Sequence, residues 1–121
     1  MTGDELRFIG KAHANKQLSG DGLLTRRRHV WLEQRIGCKK ALLTHLCTGA
    51  PEMAAWLLDL QPDNEVIMPS FTFVPTSNDF ALRGATPVFV DIRLGTLNID
   101  ETLFEAAITP RTKAISVVHT Y

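Results

Sequence analysis

From Ala41 onward, short runs of aliphatic and β-branched residues alternate with stretches whose apolar residues fall at helical spacing. The runs are Ala41-Leu42-Leu43-Thr44, Glu65-Val66-Ile67-Met68, Pro87-Val88-Phe89-Val90 and Ala114-Ile115-Ser116-Val117-Val118. Such alternation is the pattern of a parallel sheet covered by helices. Runs this continuously apolar predict strands buried on both faces. The fold class expected is therefore α/β.

The intervening segments carry helix signals. Between 51 and 60, Met53, Leu57 and Leu60 fall in one helical row and Ala54 and Leu58 in another, with Pro51 suited to a first turn and Gln61-Pro62-Asp63-Asn64 as the stop. A second helix is predicted from Val74 to Leu82, with Pro75 near its start and Gly84 closing it. Asn98 and Glu101 have capping-box spacing and open a third, carrying Leu103, Phe104, Ala107 and Ile108. Residues 39–121 thus read βαβαβαβ. Ahead of them, residues 1–38 read as a helical segment: a helix within 5–16, a turn at Ser19-Gly20-Asp21-Gly22, and a helix from Thr25, as its N-cap, to Ile36, stopped by Gly37.

Composition narrows the function. A chain of 121 residues with 45% hydrophobic content has the length of one domain, and no apolar run approaches a membrane span. Net charge is zero, but residues 1–40 hold nine Lys and Arg against four Asp and Glu, and the remainder four against nine. Arg26-Arg27-Arg28 and Lys39-Lys40 lack the interleaved aromatics, zinc-finger spacing and domain-wide basicity of a nucleic-acid binder, and they read as a solvated helix face. With two cysteines and no apolar leader after Met1, the expected compartment is the cytoplasm, and neither nucleic acid nor membrane is an expected partner. Cys38, His45 and Cys47 fall one ligand short of a tetrahedral zinc site, so no metal is expected.

In an open parallel sheet, ligands sit beyond the carboxyl ends of the strands, and two loops there stand out. His45-Leu46-Cys47-Thr48-Gly49-Ala50-Pro51 leads small residues into a helix whose free N–H groups favour a phosphate, although it is neither a Walker loop nor a dinucleotide fingerprint. Thr48 is either a phosphate ligand or a plain N-cap. Pro69-Ser70-Phe71-Thr72-Phe73-Val74-Pro75-Thr76 carries two aromatics that either stack a flat ligand or pack beneath the loop. Asp91 and His119 follow other strands; the former is a common turn former and the latter an acid–base group by type alone.

Taken together, several stretches resemble the sugar-nucleotide aminotransferases, pyridoxal-phosphate (PLP) enzymes of fold type I. They are Gly20-Asp21-Gly22, Trp31-Leu32-Glu33-Gln34-Arg35, Cys47-Thr48, Glu52-Met53-Ala54-Ala55, Glu65-Val66-Ile67-Met68-Pro69-Ser70, Leu82-Arg83-Gly84-Ala85 and Asn98-Ile99-Asp100-Glu101-Thr102-Leu103. The likeness is strongest to the branch that makes dTDP-4-amino-4,6-dideoxygalactose for common-antigen assembly. It implies the N-terminal part of the large domain, with an incomplete sheet. It also implies amino transfer from glutamate to a 4-keto-6-deoxy sugar nucleotide, within a homodimer, in the synthesis of cell-surface polysaccharide. By the same resemblance Cys47, Thr48 and Gly49 bind the phosphate of pyridoxal 5'-phosphate and Phe73 stacks on its ring. The family pattern is broken at His45-Leu46 and at Pro51.

No catalytic residue is assigned. A PLP enzyme needs a Schiff-base lysine and an acid at the pyridine nitrogen, which in the family lie further along a longer chain. Lys39, Lys40 and Lys113 precede their predicted strands, on the edge away from the ligand, and Lys11 and Lys16 lie in the helical segment. The expectation is a fragment inactive by itself, with a non-catalytic binding or interaction module as the alternative. By the family's threading, the strand at 41–44 has neighbours only in later chain, leaving strands two, three and four as the pairable set.

Overall fold

The structure, a computed structural model, describes residues 3–120. Contacts divide the chain into two compact units, Met1–His45 and Leu46–Tyr121. Residues 39–45, read from the sequence as the start of the sheet domain, group with the helical unit.

The first unit holds α1 (Glu5–Ala14) and α2 (Leu23–Ile36). The latter starts two residues before the expected Thr25, because Gly22 takes the N-cap position with extended backbone. Arg26 braces this start, donating to the Asp21 carbonyl and pairing with its carboxylate at 3.2 Å. Gly37 ends the helix as predicted, with φ at 75° and its N–H on the Glu33 carbonyl, a conformation glycine adopts without penalty. Neither helix fully buries a side chain, and Leu6 remains 82% exposed.

The strand expected at Ala41–Thr44 does not form; the segment pairs with no described strand. A strand is stable only where its backbone groups find partners. Here the Ala41 N–H donates to Glu33 Oε1 at 3.2 Å and the Leu43 N–H to His29 Nε2 at 3.0 Å, so side chains of α2 stand where strand carbonyls were expected.

The second unit runs α3 (Gly49–Leu57), β1 (Glu65–Pro69), α4 (Pro75–Ala81), β2 (Thr86–Val90), a 3₁₀ turn (Glu101–Leu103) leading into α5 (Phe104–Ala107), and β3 (Thr112–Ile115). The three strands are parallel in the order β2-β1-β3, with Ile67 level with Val88 on one side and Ile115 on the other. The expected βαβαβαβ is thus corrected to βαβαβ preceded by α3.

Burial follows from that order. β1 is buried at every residue, and alternate side chains serve opposite faces. Val66 and Met68 pack with Ala55 of α3, Phe80 of α4, Leu60 and Ala85. Ile67 packs on the other side with Val90, Ile99, Phe104 and Ala107. β2 and β3, with one neighbour each, are only partly buried, so burial on both faces holds for the central strand alone.

Several boundaries moved for local reasons. α3 ends before Leu60, which is buried beyond it, and the chain turns with Asp59 and Asp63 at positive φ. Asp100, not Asn98, caps the third helical stretch: its carboxylate accepts from the Thr102 N–H and hydroxyl, while Asn98 accepts from the Thr120 N–H. β3 starts at Thr112 and ends at Ile115, so Val117 and Val118 lie outside the sheet and Lys113 lies within the strand. Gly84 has φ at 84°, and a Cβ there would meet Pro62 at 3.4 Å.

Candidate functional site

Connectivity collects the candidate residues on one edge of the sheet. α3 hands over to β1 through residues 58–64, at the amino end of that strand, so the N-terminus of α3 lies toward the carboxyl end. The loop 70–74 leaves β1 at that end, Asp91 leaves β2 there, and residues 116–120 leave β3 there.

At the start of α3, Cys47 is exposed and Thr48 and Gly49 are half-buried. Thr48 occupies the N-cap position, yet its side chain makes no capping bond, which removes the plain N-cap alternative for its hydroxyl. The Gly49 N–H donates to the Leu46 carbonyl at 3.2 Å and the Ala50 N–H to the Cys47 carbonyl at 3.0 Å. The donors left uncommitted among the described residues of this turn are the N–H of Cys47 and the N–H and hydroxyl of Thr48. A phosphate at a helix N-terminus is held by donors of this kind, so the open donors of Cys47 and Thr48 fit such a group, whereas the Gly49 amide is already engaged.

Phe73 stands one residue before the Val74 N-cap of α4, 72% exposed, with Phe71 also exposed. Both rings are clear of the core, against the alternative that they pack beneath the loop. The loop is braced below them: the Ser70 N–H donates to the Val90 carbonyl at 2.8 Å, Thr72 and Thr76 hydroxyls meet at 3.1 Å, and the Thr76 N–H donates to the Phe73 carbonyl at 2.9 Å. An exposed ring on a braced loop suits a face that stacks on a planar heterocycle.

Asp91 is engaged structurally, accepting from the Ile92 N–H at 2.8 Å and, at 3.5 Å, from the Ser70 hydroxyl. His119 is exposed in irregular chain. No three His, Cys, Asp or Glu among the described residues come together as a metal site, and both cysteines are free thiols. No helix among them is long and apolar enough to cross a membrane.

Three carboxylates have environments that the sequence did not announce. Glu65, nearly buried, accepts from the Thr109 hydroxyl and pairs with Arg111, which hold its carboxyl below the usual carboxylate range. Asp100 is likewise held down, chiefly by the Thr102 hydroxyl and N–H, with Arg93 adding attraction. Asp79 is the opposite case: burial, then the nearby Glu52, push its carboxyl up. Its Oδ2 has no partner, and Arg83, four residues on, lays its guanidinium 3.8 Å over the Trp56 ring with Nε unpaired. The i, i+4 spacing of Asp79 and Arg83 suggests an ion pair, but Arg83 lies beyond the end of α4 and no such pair forms.

A profile of the DegT/DnrJ/EryC1/StrS aminotransferase family matches residues 4–121. The chain belongs to that family. Its relatives include the spore coat polysaccharide biosynthesis protein SpsC of Bacillus subtilis, 46% identical over 84 residues, which are 69% of this chain and 22% of that protein. The UDP-2-acetamido-2-deoxy-3-oxo-D-glucuronate aminotransferase of Pseudomonas aeruginosa is 46% identical over 86 residues, 71% of this chain and 24% of that one. Among solved structures, a sugar aminotransferase, Spr1654 of Streptococcus pneumoniae in its PLP form, superposes with a TM-score of 0.81 at 30% identity, covering 95% of this chain and 29% of that chain. The chain spans about a quarter of the length of the curated relatives it matches. The family is one of PLP-dependent sugar aminotransferases, and the fold is that of PLP fold-type I enzymes, with an open three-stranded parallel sheet alternating with helices.

Proposed function

We propose that this chain forms the phosphate- and ring-binding portion of the PLP site in an enzyme that moves an amino group from glutamate to a 4-keto-6-deoxy sugar nucleotide, a dTDP-sugar destined for cell-surface polysaccharide. The observation that carries the reading is the uncommitted hydroxyl and N–H of Thr48 at the first turn of α3, on the same sheet edge as the exposed Phe73.

In this reading Cys47 and Thr48 hold the phosphate, Gly49 leaves it room, and Phe73 covers one face of the ring. When bound, the cofactor supplies an electron sink for the exchange of amino and keto groups. Within the unit that carries Thr48 and Phe73, the described lysine is Lys113, near the amino end of β3 and so away from their edge of the sheet. The 121 residues are therefore proposed to bind PLP weakly and without a covalent bond, to give no turnover by themselves, and to act in the cytoplasm within a homodimer of the whole enzyme.

The test is calorimetric titration of the chain with PLP. A phosphate at a helix terminus and one stacked ring contribute on the order of a few kcal/mol together, which corresponds to millimolar affinity at best. Thr48→Ala and Phe73→Ala should each weaken binding several-fold; binding unchanged in both would overturn the assignment. Release of 2-oxoglutarate on incubation with PLP, glutamate and a 4-keto sugar nucleotide, lost on replacing one lysine, would overturn the proposed lack of turnover.

A further inference from the structure

Residues 41–44 have the composition of a strand, yet two of their N–H groups, at alternate positions, are held by side chains. Ala41 and Leu43 are two apart, so in extended chain their amides point the same way. Their acceptors, Glu33 and His29, are four apart on α2 and so share one face of that helix. The opposite face, carrying Leu24, Arg28 and Trp31, borders a groove of about 310 Å³ that Phe8 of α1 also lines.

We infer that His29 and Glu33 form a pH-sensitive latch that covers the amide edge of residues 41–44, with the His29 half opening when its ring takes up a proton. Accepting from Leu43 requires a bare Nε2, hence a neutral ring protonated on Nδ1; a doubly protonated ring has only donors. Histidine is the side chain that ordinarily changes charge between pH 5 and 8, whereas a glutamate carboxylate stays ionised there. Acidification therefore releases Leu43 while Glu33 continues to hold Ala41. The released N–H, flanked by the 62% exposed Leu42, is then free to pair with another strand.

The charged groups around the ring suit this. On α2, Glu33 lies one turn later and is shared with Lys40 at 3.7 Å, and Arg26 lies one turn earlier, drawn to Asp21 at 3.2 Å. In the following segment, Lys40 is held by Glu33 at 3.7 Å, Lys39 precedes it, and the titratable His45 stands two residues after Leu43. On α1, Arg7 and Lys11 lie 4.9 and 5.8 Å from the ring of Phe8, the α1 residue that lines the groove on the opposite face of α2 with Arg27 and Arg28.

Amide hydrogen exchange by NMR, corrected for intrinsic rates, tests the latch at pH 7.5 and 5.5. At pH 7.5 the Leu43 amide should exchange roughly three- to tenfold more slowly than that of Leu42, the size of one hydrogen bond's net contribution. At pH 5.5 that difference should vanish, while Ala41 stays protected. His29→Ala should remove Leu43 protection at both pH values, and ¹⁵N spectra of the wild-type ring should show the Nδ1–H tautomer at pH 7.5. Leu43 protection that persists at pH 5.5, survives His29→Ala, or disappears together with that of Ala41 would overturn the inference, as would an Nε2–H tautomer.

Discussion

Two stretches of this chain have almost the same strand-like character, and they end differently. Glu65–Pro69 is the central strand, buried at every residue with a parallel neighbour on each side. Ala41–Thr44 is at least as apolar, yet it forms no strand and leaves Leu42 and Leu43 exposed. The difference lies in what is beside them. β1 has strands on both edges and helices α3, α4 and α5 supplying apolar side chains to its two faces. Ala41 and Leu43, by contrast, give their N–H groups to two polar side chains of α2. Burial of the peptide group has to come with hydrogen-bonding partners, and hydrophobicity alone does not supply them.

The contrast is open to direct challenge. The largest expected effect is in hydrogen exchange: amides of Val66, Ile67 and Met68 should exchange through global unfolding and those of Leu42 and Leu43 through local opening, so their protection should differ by orders of magnitude. Equal protection in both stretches, with one sharp monomeric unfolding transition, would show that residues 41–44 are packed as firmly as β1.

Truncation sharpens it further. Ile67→Ala should cost about 2–5 kcal/mol in urea unfolding, because Ile67 is 0% exposed and its loss leaves a cavity. Leu42→Ala should stay within about 0.5 kcal/mol. A comparable cost at both sites would erase the distinction.

The helix covering β1 carries a penalty of its own. Asp79 on α4 is 8% exposed with one oxygen unpaired, and burial raises its carboxyl above the ordinary value. A raised acid binds its proton more tightly in the folded state. Its penalty is thus absent below the ordinary aspartate range and grows as pH rises through the folded value. Asp79→Asn should therefore stabilise the protein at pH 7, by about 1–3 kcal/mol, and have no such effect near pH 3.

Glu65, the first residue of β1, should show the reverse slope. Its carboxyl is held low by Thr109 and then Arg111, so its contribution is complete above the ordinary glutamate range and is lost as pH falls through the lowered value. Urea midpoints followed from pH 6 to 3 should fall less in Glu65→Gln than in wild type. Identical acid sensitivity in the two would mean that this clamp does not anchor the strand.

Much of the architecture is readable from residue order. The aliphatic runs at 65–68, 87–90 and 114–118 mark three strands to within a few residues, and Gly37 and Gly84 mark helix ends at positive φ. Less readable were the ends of elements. Asp100 took the cap expected of Asn98 because Thr102 stands two residues on with two donors, whereas the Asn98 amide oxygen meets the Thr120 N–H, a contact between residues far apart in sequence. At the candidate site the sequence pointed to the turn at Cys47-Thr48-Gly49 and to Phe73, and the structure shows the Thr48 hydroxyl uncapped and the Phe73 ring exposed. Which donors remain open there depended on hydrogen bonds inside the turn, which claim the Gly49 and Ala50 amides.

Local spacing and composition, by themselves, determined that this chain would alternate helices with apolar strands and carry a small-residue turn and an aromatic loop, because helix and strand periodicities are properties of neighbours in sequence. Tertiary structure alone decided that Glu65–Pro69 would be central and Ala41–Thr44 would lie against α2, that Glu65 would be clamped by Thr109 and Arg111, and that Asp79 would be left without a full set of partners. These outcomes turn on which distant groups arrive beside a peptide or a carboxylate, and pairing and desolvation of that kind are fixed only when the chain is assembled.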